Sequence, residues 1–213
     1  MRPTLLVAAA VVMVVGATTG CQSRQLQQKA ASGPSGPAEP TSSSAASSDI
    51  VRQHVTGTAP APGTCHVQRS NGEDLPDPAC TPGATDPTVT QDNIATTICV
   101  KGYTTEVRPP TSETNPMKAK LYGAYAIPAG TRSELDHLIS EELGGSSDAK
   151  NLWPEVGKIP NPKDPVENRL HAMVCAGVLS HGTQKHLPLA AAQQLIATDW
   201  TTAIARAQRQ LVP

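Results

Sequence analysis

Asp136 and His137 stand side by side in the segment Leu135-Asp136-His137-Leu138-Ile139, a hard oxygen ligand next to an imidazole. A neutral imidazole, with a reference pKa of about 6.5, can take a proton from water near neutral pH. Gly144-Gly145 follows, then Asn151-Leu152-Trp153-Pro154, then a segment carrying Asn168, His171 and Cys175. At 100° per helical residue the last three fall within a sector of about 60°, so one helix face can present both an amide oxygen and an imidazole. Together these residue types could hold a divalent cation and activate a water. Serine-hydrolase chemistry has no support, because no G-x-S-x-G elbow is present.

The order Asp-His-Leu-Ile, Gly-Gly, Asn-Leu-Trp-Pro-Glu and Glu-Asn-Arg-Leu-His, spanning Glu134 to Cys175, resembles the HNH or ββα-metal nuclease motif and a group of HNH-like domains of small exported bacterial proteins. The resemblance implies a hairpin followed by a helix, with His137 as general base and Asp136 as a metal ligand. Asn151 would fix the loop that holds the histidine. Asn168 or His171 would complete the metal site. Phosphodiester hydrolysis needs an activated water, a cation against the charge growing on phosphate, and a proton for the leaving oxygen. Mg²⁺ is favoured, with Zn²⁺, Ni²⁺ or Mn²⁺ if His171 ligates. Two departures stand out: Ser140 replaces a proline common in such motifs, and a Pro-rich stretch from Trp153 to Asp164 lengthens the path to the helix. A regular strand also points Asp136 and His137 to opposite faces, so sharing a site requires the strand to end or bulge there.

The positioning elements follow from local signals. Glu134 to Ser140 reads as a strand, with Asn151 to Trp153 as its return and Pro154 as the stop. Asp164-Pro165-Val166-Glu167 combines an N-cap, a first-turn proline and a capping glutamate, predicting a helix to about Val178. Asn115-Pro116 predicts a helix from Met117 to roughly Tyr125. Leu189 to Leu211 repeats apolar residues every three to four positions, a structural helix. The β-branched stretches Ile94 to Val100 and Tyr103 to Val107 suggest strands. Trp153 and Trp200 are expected in the core; Lys118, Lys120, Arg132, Lys150, Lys158 and Lys163 are expected on a solvated face.

The chain of 213 residues is 38% hydrophobic but only 2% aromatic and has no Phe, so its core must be built from smaller aliphatics. A small core of that kind calls for staples. Met1 to Gly20 reads as a signal peptide whose apolar run is too short to span a bilayer. Ala17 to Gly20 before Cys21 resembles a lipobox, implying a lipidated Cys21 and anchorage at the outer face of the cell membrane. Residues 21–60 read as a Ser/Pro/Ala-rich tether, leaving 61–213 as one domain. In an oxidising compartment Cys65, Cys80, Cys99 and Cys175 form two disulfides, and Cys65 with Cys80 and Cys99 with Cys175 is the favoured pairing. A net charge of -1 excludes a uniformly basic nucleic-acid coat.

The expected architecture is therefore α+β: a small, disulfide-stapled ββα core with flanking helices and short strands. The expected function is a surface-anchored, metal-dependent, non-specific nuclease acting as a monomer on extracellular nucleic acid, DNA ahead of RNA. The alternative is a catalytically inactive lipoprotein that binds a partner with the same scaffold.

Overall fold

A computed structural model describes residues 50–213. Cys21, the signal peptide and most of the expected tether lie outside the described residues. Among the described residues the fold is mixed α+β, with two small antiparallel hairpins set among four α-helices.

Strands β1 (Gln68–Ser70) and β2 (Glu73–Leu75) form the first hairpin. Its turn is Asn71-Gly72, with both residues at positive φ, the conformation that this dipeptide tolerates best. Strands β3 (Ser133–His137) and β4 (Leu152–Val156) form the second, with Asp136 opposite Trp153 and His137 opposite Leu152. Pro154 does not stop β4: it lies within the strand, opposite Leu135. A two-stranded sheet has only edge strands, where a missing N–H costs no ladder bond if it faces outward.

The helices are α1 (Tyr103–Val107), α2 (Thr111–Ala124), α3 (Asp164–Leu179) and α4 (Leu189–Ala207). The strands expected within 94–107 are instead a 3₁₀ turn at Gln91–Thr96 and α1. Ile94 and Ile98 are buried four residues apart, as are Tyr103 and Val107. That helical spacing lets β-branched residues reach the core, and burial overrides strand propensity.

Helix α2 begins at Thr111, earlier than Asn115-Pro116 suggested, with Pro116 inside it. Glu113 in its first turn accepts hydrogen bonds from the Val55 N–H at 3.0 Å and His54 Nδ1 at 2.9 Å, and Met117, Leu121 and Ala124 are buried. This tertiary anchoring offsets the proline's lost bond.

The main core packs α3 (Leu170, Val174) against α4 (Leu195, Ile196, Trp200) beneath Ile94, Ile98 and Leu143. Helix α4 is kinked at Asp199, whose backbone leaves the helical region and whose Oδ1 accepts from the Thr201 N–H at 2.9 Å, capping the second half. Disulfides join Cys65 to Cys80 and Cys99 to Cys175, in keeping with an oxidising compartment. No helix of the described residues is long and apolar enough to cross a membrane.

The chain reaches the domain before residue 61. The Gln53 N–H bonds to Val107 O at 2.7 Å and Thr56 bridges to Asp148. Residues 50–60 are therefore not free of the domain despite their low apolar content, because polar backbone groups there find partners on it.

Candidate active site

The second hairpin and the start of α3 enclose a cleft of about 440 Å³, lined by Asp136, His137, Glu141, Glu167 and, at its rim, Arg108. Strand β3 ends at His137, so Asp136 and His137 both line this cleft despite the alternation that separates neighbours inside a strand.

Three groups set the backbone here. Asn151, wholly buried, accepts from the Ile139 N–H at 2.9 Å and donates to the carbonyls of Ile139 and Ser146 at 2.9 and 2.8 Å. It ties the residues after His137 to the turn after Gly145. That turn demands glycine: a Cβ at Gly145 would lie 1.7 Å from the Ile139 oxygen. Gln53 then accepts from the Ser147 N–H at 2.8 Å and donates to the Gly145 carbonyl at 3.1 Å.

Ser147 so placed stands 3.0 Å from His137 Nε2, through its Oγ. Glu141 Oε1 lies 3.6 Å from the same nitrogen, and Glu141 Oε2 accepts from Arg108 Nε at 3.0 Å. Burial pushes the His137 imidazole below its ordinary pKa against the pull of Glu141 and Asp136, so the ring is neutral at pH 7. With Nε2 turned to Ser147 and Glu141, Nδ1 is the ring nitrogen left without a hydrogen-bond partner among the described residues.

Behind His137 lies a charged cluster under α3. Glu134 and Asp136 share one face of β3, and Trp153 and Glu155 stand opposite them on β4. Trp153 Nε1 donates to Asp136 Oδ2 at 2.9 Å.

Lys163, expected on a solvated face, is fully buried here. Its Nζ donates to Asp136 Oδ2 at 2.9 Å, to the His137 carbonyl at 2.7 Å and to Glu167 Oε1. All three ammonium protons are thereby used. Burial opposes the charge, but Asp136 and Glu167 outweigh it and hold the lysine above its ordinary pKa. Asn161 sets the lysine's backbone, accepting from the N–H groups of Lys163 and Asp164 at 2.7 and 3.1 Å, and its amide nitrogen bonds Glu134.

Two carboxyls in the cluster are uneasy. Burial, with Asp136 beside it, pushes Glu155 up to about 9, and its Oε2 has no hydrogen-bond partner. Burial pushes Glu167 up to about 7 against the pull of Lys163.

The expected metal ligands do not converge. Asn168 is exposed and donates to the carbonyl of Asp164 at 2.9 Å, while His171 lies beside Ile98 O at 2.8 Å and Cys175 Sγ at 3.3 Å. Both line a separate hollow with Glu142 and Cys99. The path from β4 turns at Asn161 and presents Lys163 and Glu167 to Asp136, one turn ahead of His171.

Two other donor groups draw together among the described residues. Cys99, His171 and Cys175 are one, but its sulfurs are bonded to each other, and only a thiolate ligates well. Glu134, Asp136 and Glu155 offer oxygens within 4.8 Å of one another, but the Lys163 ammonium already sits on Asp136. The disulfide-bonded group therefore does not fit a divalent metal, and in the carboxylate group a cation would have to sit beside that ammonium.

Sequence reasoning singled out Asp136, His137 and Asn151 and missed Arg108, Glu141, Ser147, Glu155 and Glu167. Two signals were available. Lys163 and Glu167 stand at the i, i+4 spacing of an ion pair, and Glu134 with Asp136 shows the period-two pattern of one strand face. Nothing local marks Arg108 or Ser147. Comparison with known proteins finds no matching family model, curated protein or solved structure.

Proposed function

We propose that the His137 cleft hydrolyses phosphodiester bonds of nucleic acid outside the cytoplasm, on an HNH-like hairpin-and-helix scaffold formed by β3, β4 and α3. One observation carries the reading: a neutral imidazole at a strand end, backed by Ser147 and Glu141, opens on a cleft with an arginine at its rim.

His137 Nδ1 takes a proton from the attacking water. The imidazolium so formed is stabilised by Glu141 on the far nitrogen, as a carboxylate behind a catalytic histidine does elsewhere. Arg108 holds Glu141 through Nε, and its side chain is 67% exposed, so its two terminal nitrogens can meet phosphate oxygens in a forked geometry. Glu167 lines the same cleft and, raised to about 7, can carry a proton to the leaving oxygen. A lipidated Cys21 would hold the monomer at the outer face of the membrane. With no recognition helix apparent, cleavage is non-specific, DNA ahead of RNA.

A second reading, a non-catalytic binding module, is favoured by the engagement of Asp136 Oδ2 with both Lys163 and Trp153. The purified protein is to be assayed on plasmid DNA and on RNA, with each divalent metal and with EDTA, beside a folded His137→Ala variant. Cutting that disappears in the variant supports the nuclease. No cutting under any condition leaves the binding module.

A further inference from the structure

We infer that the cleft needs no divalent metal, because the Lys163 ammonium permanently fills the cation position between Asp136, Glu167 and the His137 carbonyl. The activity half of this inference rests on the phosphodiesterase reading; the binding half does not.

The acceptors around Nζ are two carboxylate oxygens and one backbone carbonyl, the hard oxygen set that Mg²⁺ or Mn²⁺ selects. Lys163 is fully buried, and its backbone is set by the Asn161 side chain at the entry to α3. The same carboxylates that would ligate a metal accept the lysine's hydrogen bonds. A divalent ion placed among Glu134, Asp136 and Glu155 would face that ammonium across Asp136, in a buried cluster where like charges repel more strongly than in water.

Lys163 is a positioning residue. Its donors are spent on protein oxygens, so it cannot touch substrate; its bond to the His137 carbonyl fixes the strand end that carries the base. Charge on the phosphate is left to Arg108. Removing the ammonium would leave Glu134, Asp136, Glu155 and Glu167 facing one another without a cation, a vacancy that a metal could take.

The test is a Mn²⁺ titration of the full chain, followed by the electron paramagnetic resonance of the free ion, on wild type, Lys163→Ala and Lys163→Met. The methionine variant keeps most of the stem volume should alanine fail to fold. Wild type is expected to bind no Mn²⁺ in the cleft and the folded variants to gain one site, a change that loss of a merely structural lysine would not produce. In the cleavage assay, wild type is expected to be insensitive to EDTA, and the variants to lose cutting and recover it with Mn²⁺. A wild type that binds one Mn²⁺ and stops cutting in EDTA overturns the inference while leaving the nuclease intact. Folded variants that gain no Mn²⁺ overturn it as well. Absence of cutting throughout sinks the nuclease reading, and the titration still decides the cation position.

Discussion

His137 and His171 offer the instructive comparison, since each is a half-buried histidine next to a glutamate and close to α3. Nε2 of His137 meets Ser147 and Glu141, and its ring lines the cleft. Nε2 of His171 meets a backbone carbonyl and the Cys99–Cys175 disulfide, over the apolar core. What separates them is the surroundings: one is held by polar side chains at an opening, the other by packing against a covalent staple. An imidazole can act as a base only where a basic nitrogen faces substrate.

Four predictions can break or sharpen this contrast. The largest effect is expected from His137→Ala, which should lower cleavage by about 10³-fold while His171→Ala stays within about twofold, read as initial rates on plasmid DNA. If both fall equally, the contrast is wrong.

On the packing side, replacing Cys99 and Cys175 by alanine opens a link across 76 residues, whereas Cys65 and Cys80 are 15 apart. Loop entropy makes the first loss about 4.5 kcal/mol and the second about 3 kcal/mol. Urea unfolding of the two double variants tests that order.

On the cleft side, Asn151→Ala strands the Ile139 N–H and two carbonyls in the interior, at a cost of about 3 kcal/mol. It should also depress cleavage more than its stability loss explains, because the backbone beside His137 is released. Equal rates in the folded fraction would show that Asn151 serves the fold alone.

The smallest effect concerns Glu155. Its folded pKa of about 9 lies above the ordinary carboxyl range, so folding takes up a proton and stability falls as pH rises between those limits. Glu155→Gln removes this loss, and the melting temperature near pH 8 should rise by about 3–5 °C, with a smaller gain near pH 5. A gain independent of pH would place the cost in packing instead of ionisation.

Much of the scaffold was legible. The second hairpin and α3 carry strong local marks, a Gly-Gly turn and a proline in the first helical turn, although α3 takes Lys163 and not Asp164 as its N-cap and has no side-chain cap bond. The favoured cysteine pairing matches the two disulfides formed. The segment 94–107 was misread because β-branching is a weak preference that four buried side chains at helical spacing overrode. The early start of α2 was invisible because its anchor, Glu113, bonds to residues far back in the chain.

The candidate site divides the same way. Asp136, His137, Gly145 and Asn151 form a local motif within sixteen residues of chain, and their mutual geometry follows from one hairpin and its turn. The sequence alone therefore determined where His137 stands and which residues hold its loop. Only the tertiary structure decided what faces Asp136. Helical spacing marks Asn168 and His171 as sharing a face but cannot say toward what that face turns, which depends on the bend at Asn161 and the packing of α3 on α4. A lysine's solvation is likewise a property of its neighbours: with two carboxylates and a carbonyl to receive its protons, Lys163 could leave the surface for the centre of the cluster.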